Sequence, residues 1–165
     1  MNEWLRLRRA NSDDAVLLAN FDIGPNQGPW HSEVTEIVGG LIRWRDHDAG
    51  SGNDRQVIVA YLATGEVVGV AAHEAASNER CTVFFDHRYL MVAAVGVEHQ
   101  RHGIARTLIT SVISQMQARG AASVTWLVHP HNTGSIGFSR NVFPDADETY
   151  PADDKPYASF LLRLR

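Results

Sequence analysis

The chain has a single cysteine, Cys81, which cannot close an internal disulfide; that fits a reducing compartment. No stretch approaches the eighteen or so apolar residues that a membrane span requires, and the opening MNEWLRLRRAN lacks the apolar run of a secretion signal. A cytoplasmic protein is therefore expected. Excess charge is also scarce, with 15 Lys and Arg against 19 Asp and Glu and a formal net charge of -4. Nucleic acid and anionic membranes call for concentrated cations that release counterions from phosphate, so neither is expected as a partner. The basic cluster Arg6, Arg8 and Arg9 alternates with Leu5 and Leu7, which reads as the solvent face of a first strand. Two phosphate-binding signatures are missing as well, the three spaced glycines of a dinucleotide fingerprint and the Gly-Lys-Ser/Thr of a Walker loop. The eight histidines include no His-x-x-x-His pair on a helix and no cysteine cluster accompanies them, so no metal site is expected.

What is present is the composition of an ordinary globular chain, 44% hydrophobic and 21% charged. Its 165 residues suffice to bury roughly two thirds of the unfolded surface in one domain spanning 1–165. Residues 5–10 alternate as a strand, and Ser12 can cap a short helix over 15–20. The glycines and prolines of DIGPNQGPW predict a loop over 22–30. Ser32 can cap a second helix, in which Val34, Ile37, Val38, Leu41 and Ile42 form one apolar stripe that Gly39 and Gly40 weaken. DHDAGSGNDR, 46–55, predicts a mobile polar loop. Strands over 57–62 and 67–73 are joined by a tight turn at Thr64 and Gly65.

A strand over 82–85 precedes YLMVAAVGV, 89–97, whose two alternating faces are both apolar and which is therefore expected to be buried on both sides. Ile104, Ala105, Leu108, Ile109, Val112, Ile113 and Met116 recur at helical spacing, with Arg119 and Gly120 as stops. A strand over 123–128, a short helix after Asn132 to about 141, the polar DADETYPADDKP and a last strand over 157–164 complete the chain. A buried strand, a helix and another strand in succession make a parallel crossover. The expected class is thus α/β (an α+β mixed sheet), mostly antiparallel with one parallel strand pair and about four flanking helices.

The most informative stretch is VGVEHQRHGIARTLI, 95–109. A strand that feeds a glycine-bearing turn and then a helix aims unpaired N–H groups at one point, at the positive end of the helix dipole. Its core, Gln100-Arg101-His102-Gly103-Ile104-Ala105, resembles the Q/R-x-x-G-x-G/A signature of the GNAT superfamily of acyl-CoA-dependent N-acyltransferases. In HNTGSIGF, Asn132, Ser135, Ile136 and Phe138 are similar to that family's second pattern, an asparagine before a short helix beside the cofactor. The order of elements also matches, so the likeness spans nearly the whole chain. It implies that acetyl-CoA is the co-substrate and that backbone N–H groups of residues 100–105 hold its pyrophosphate. Gly103 would allow close approach, Ala105 would keep the helix start free of bulk, and Arg101 and His102 would add charge. It further implies that Val95 and Val97 bond the pantetheine arm in a gap between the two parallel strands.

The implied reaction is direct attack of a neutral amine on the thioester, which needs a deprotonated nitrogen and a stabilised leaving sulfur. Here the sequence departs from the family. The usual acid, a tyrosine seven residues after the asparagine, is Ser139, whose hydroxyl can donate a hydrogen bond but is a weak acid. Tyr150 or Tyr157 could supply a phenol instead. The positions where a carboxylate base is often found look like Tyr89 and Leu127, which leaves Glu74, His87, His129 and His131 as candidates; a histidine is well matched to proton transfer near neutrality. Trp30, His31 and Trp44 could line a substrate wall, and the acidic Asp145, Asp147, Glu148, Asp153 and Asp154 could attract a cationic amine. The expected partner is a small-molecule or protein amine, with a homodimer left open. Two rival readings stand beside an N-acetyltransferase. One is a non-catalytic acyl-CoA-binding or regulatory module, suggested by Ser139; the other is an acyl-CoA toxin acting on charged tRNA, disfavoured by the negative charge.

Overall fold

The computed structural model describes residues 5–47, 54–77, 83–150 and 157–164. Cys81, Asp153, Asp154, the side chain of Trp44 and most of the loop expected over 46–55 lie outside the described residues. Seven strands, β1 (Leu5–Arg9), β2 (Gln56–Leu62), β3 (Val67–Ser77), β4 (Val83–Val95), β5 (Ser123–Val128), β6 (Asp147–Thr149) and β7 (Ala158–Arg163), form one sheet in the order β1-β2-β3-β4-β5-β7-β6. Every neighbouring pair is antiparallel except β4–β5, the expected parallel pair. Four helices flank it, α1 (Asp14–Ala19), α2 (Pro29–His47), α3 (Ile104–Ala118) and α4 (Thr133–Val142).

The sheet is coated on both sides because its central strands carry apolar residues on both faces. On one side the α3 stripe of Ile104, Leu108, Val112 and Met116 packs with Val124, Trp126 and Phe160. On the other, Leu18 of α1 and Val38 and Leu41 of α2 pack on Val57, Val59, Val70 and Ala72. Each such side chain contributes roughly 1.5–3 kcal/mol on burial.

Several boundaries differ from the sequence expectation, each for a local reason. The segments 82–85 and 89–97 are one strand, because two register shifts, at Ala72/His73 and Ala75/Ala76, absorb the charged interruption between them. That strand ends at Val95 rather than 97. The Val97 N–H turns away to the Asp22 carbonyl at 2.9 Å and opens a 3-10 turn over Val97–His99. Within it, Ala93 and Val95 are half-buried, not enclosed, since β4 borders a cleft. The second helix starts at Pro29, the proline supplying a preset first helical φ, and Ser32 bonds the Pro29 carbonyl from inside the first turn instead of capping it. Asp13, not Ser12, occupies the cap of α1, and the neighbouring Asp14 receives both Nη atoms of Arg8 at 2.7 Å. The three-residue β6 lies where a loop was expected, too short to show an alternation, and pairs with β7.

The interruption in β4 also turns a charge inward. Arg88, 5% exposed, donates to Nδ1 of the equally buried His73 at 3.0 Å and to Asp54 Oδ2 at 3.2 Å. Burial first, and then the Arg88 charge, pushes His73 down to about 3. Its unfolded value is near 6.5, so the unfolded chain takes up a proton first on acidification. The stability involved is complete above about pH 6.5 and is lost progressively as pH falls toward 3. At pH 5 the loss is about 2 kcal/mol, which corresponds to about 4–8 °C in Tm. Thermal melts at pH 7.5 and pH 5 should show this drop in the native chain and a smaller one in His73→Gln, which keeps an acceptor for Arg88 but does not titrate.

Candidate active site

Pairing between β4 and β5 is confined to residues 87–90 and 123–126, although β4 runs on to Val95 and β5 to Val128. Past that point the two strands pair no further, and a cleft of about 900 Å³ opens beside them. A buried strand with one unpaired edge presents backbone groups that require a partner. In this gap the Val95 carbonyl accepts the Gln100 Nε2 at 3.1 Å, and the remaining edge groups are open to water or to a ligand.

At the far end of β4 the backbone forms a turn of the kind that can take an anion. Arg101 has φ of 66° and Gly103 of 78°, both left-handed. The first helical bond of α3 runs from Thr107 N–H to the Gly103 carbonyl at 3.0 Å, and among the described residues the N–H groups of residues 101–106 have no protein acceptor. Left-handed residues alternating with others fold successive amides into a concave nest, here placed at the positive end of a fifteen-residue helix. A Cβ built on Gly103 would meet nothing within 4 Å, so its glycine answers to its φ while open space lies above it. The loop is held in place by Gln100, whose Nε2 donates to the carbonyls of Ile23 at 3.0 Å and Val95 at 3.1 Å. Gln100 thus anchors the seat through its side chain.

The opposite wall comes from α4 and β5. Asn132 caps α4 by accepting the Ser135 N–H at 3.0 Å, while Ser135 and Phe138 line the cleft. Ser139, 3% exposed, accepts the Trp126 indole N–H at 3.0 Å. The indole is fixed by stacking on Phe160 at 5.4 Å and by the edge contact of Phe143 at 5.4 Å. Toward α2 the lining passes to Trp30, Glu33, Tyr89, His129 and Tyr157.

The model of the Acetyltransferase (GNAT) family matches residues 17–142. The chain belongs to this family. Solved structures share its fold. The GNAT domain of S. lividans PAT superposes with TM-score 0.72 at 18% identity, over 97% of this chain and 90% of that one. PaiA N-acetyltransferase from Thermoplasma acidophilum, in complex with coenzyme A, gives 0.69 at 13% identity, over 97% and 99%. Spermidine/spermine N-acetyltransferase SpeG from Vibrio cholerae gives 0.65 at 16% identity, over 98% and 94%. No curated protein matches the sequence significantly.

Within the GNAT fold the residues singled out in the sequence divide. Val95, Gln100, Arg101, Gly103, Ile104, Ala105, Asn132, Ser135, Phe138, Ser139 and His129 meet at the cleft, whereas Val97, His102 and Glu74 are not among its lining. Val97 has its N–H committed to Asp22, and Glu74 is paired with Arg55 at 2.7 Å. His129 Nδ1 accepts the His131 N–H at 3.2 Å, which places the neutral ring's proton on Nε2. His87 lies between Ser123 Oγ at 2.6 Å and Thr125 Oγ1 at 3.1 Å, outside the cleft lining. Of the two C-terminal phenols, Tyr150 donates to Glu148 at 2.7 Å away from the cleft. Tyr157 lines the cleft and donates to both oxygens of Glu33, at 2.9 and 2.8 Å; that bond, with burial, raises its pKa. Tyr89 also lines the cleft, its phenol raised by burial and by Glu74.

Of the acidic loop's described residues, Asp147 pairs with Arg163 and Glu148 with Arg140, each at 2.8 Å, and neither they nor Asp145 line the cleft. Glu33 and Arg106 are cleft residues that no motif marked. Among the described residues no cluster of three or more His, Cys, Asp or Glu could hold a metal ion, and no helix is long and apolar enough to cross a membrane.

Proposed function

We propose that the protein transfers an acetyl group from acetyl-CoA to a primary amine by direct attack within a ternary complex. One observation carries this reading. The open edge of β4 and residues Arg101, Gly103, Ile104, Ala105 and Arg106, with their free amides, border the same cleft, so an extended chain ending in a diphosphate can satisfy both. Acetyl-CoA is such a molecule, and it supplies the activated acetyl group. The nest binds its pyrophosphate, with Arg101 and Arg106 adding charge, and the open β4 edge orients its pantetheine arm. Ser139, its oxygen already receiving the Trp126 N–H, turns its own hydrogen toward the sulfur as the C–S bond breaks. A serine suffices for this because a thiolate with pKa near 8.5 leaves without full protonation.

The test is a calorimetric titration with acetyl-CoA followed by thiol-release assays on a panel of amines. Saturable binding with steady thiol release is the expected outcome. A second reading, a non-catalytic acyl-CoA-binding module, is favoured by Ser139 standing where the family's tyrosine is expected. Binding without thiol release from any amine, small-molecule or peptide, would select it.

A further inference from the structure

The amine end of the cleft carries a distinct pattern of charge and apolar surface. Among the described residues that line it, Glu33 is the only Asp or Glu. The arginines of the lining, Arg101 and Arg106, belong to the anion seat beyond Val95. Glu33 accepts the Tyr157 hydroxyl, and Tyr157 directly precedes Ala158, whose partner Val128 ends β5. The carboxylate is thus tied to the β5–β7 side of the cleft, whereas the two arginines stand in the turn and helix that follow β4. Among the described lining residues the charges are therefore held by different elements, the cations where a diphosphate belongs and the carboxylate elsewhere.

The surface around that point is apolar. Trp30, Val34 and Ile37 from α2 face the cleft together with Tyr89 of β4 and Leu127 of β5, and Leu127 is 46% exposed. The carboxylate is held in place, since the Tyr157 hydroxyl spans both of its oxygens and the Tyr157 ring meets the edge of His129 at 5.6 Å. The remaining lone pairs of a fixed carboxylate can take one ammonium, and neighbouring aromatic faces favour the same cation. A second or third cation on the same substrate would find no carboxylate among the described lining residues and would lose hydration without compensation.

We propose that the acceptor is a primary monoamine with an apolar body, its single ammonium recruited by Glu33 and its body laid on Trp30, Tyr89 and Leu127. This rests on the acetyltransferase reading above and adds a substrate class to it. The test compares phenethylamine with spermidine in thiol-release assays with acetyl-CoA, using the native chain, Glu33→Gln and Tyr157→Phe, beside calorimetric titration of each with acetyl-CoA. Phenethylamine should exceed spermidine in kcat/KM by at least about tenfold, and Glu33→Gln should raise the KM for phenethylamine by a similar factor. Tyr157→Phe, which frees the carboxylate without removing it, should raise KM less and preserve the order of preference. Acetyl-CoA affinity should be the same in all three.

Spermidine equal to or better than phenethylamine would overturn the proposal, as would an unchanged KM in Glu33→Gln. So would a protein that binds acetyl-CoA and acetylates neither amine. Failure to bind acetyl-CoA at all would instead remove the acetyltransferase reading, and this proposal with it.

Discussion

Gly103→Glu is expected to weaken acetyl-CoA binding by two orders of magnitude or more, while Gly103→Ala weakens it only a few-fold. The two variants separate the two things that glycine does. Its φ of 78° lies where a Cβ costs about 1–2 kcal/mol, a cost that falls on folding and is common to both substitutions. Nothing lies within 4 Å of the added Cβ, so alanine meets no neighbour and the glutamate side chain starts from open space. The difference is the carboxylate. It enters the space faced by the free amides of residues 101–106, where it competes for the donors and repels a diphosphate. A like-charge pair at 4 Å near a protein surface is worth about 4 kcal/mol before salt screening, enough for the predicted loss. Calorimetry with acetyl-CoA, with thermal melts as the fold control, reads both effects. Equal weakening by alanine and glutamate would mean that backbone geometry, not the anion seat, governs binding. Undiminished binding by the glutamate variant would move the pyrophosphate elsewhere.

The anion seat was legible in the sequence because its parts are contiguous: strand, turn, glycine and helix follow each other over fifteen residues. The α3 stripe was legible for the same reason, and Ile104, Leu108, Ile109, Val112, Ile113 and Met116 are all buried as their spacing requires. What failed to show depends on contacts between distant segments. Glu33 stands 124 residues from the Tyr157 hydroxyl that holds it, and it looks like any exposed glutamate early in a helix. The hydrogen bond on Nδ1 of His129 comes from a backbone N–H two residues on, in a turn whose geometry the residue pattern does not give. Glu74 reads as a free carboxylate until Arg55, from the start of a neighbouring strand, pairs with it. The continuity of β4 was hidden because Asp86, His87 and Arg88 look like a turn. The bulges in its pairing with β3 and the burial of Arg88 against His73 keep that stretch in the sheet. Local pattern located the turn and helix start proposed to seat the cofactor, whereas the contacts of the groups proposed to meet the amine are set by tertiary pairing.

Ser139→Ala should lower kcat by about 10- to 100-fold with acetyl-CoA affinity unchanged, since a hydrogen bond to a charged acceptor is worth about 1.5–3 kcal/mol. The hydroxyl is buried at 3% exposure, lines the cleft and accepts the Trp126 N–H, and among the described residues its own hydrogen has no acceptor. The same substitution strands that buried indole N–H, which costs about 1–3 kcal/mol of stability. Activity and stability would then fall together, and a merely structural serine would look the same in a single variant. Trp126→Phe resolves the two. Combined with Ser139→Ala it removes both partners of the bond, so the double variant should be more stable than the sum of the single losses predicts. Its kcat, however, should remain as low as that of Ser139→Ala, because the donor to sulfur is still missing. Recovery of both together would make Ser139 a packing residue and leave the thiolate to depart unaided. Recovery of stability alone places the hydroxyl in the chemical step.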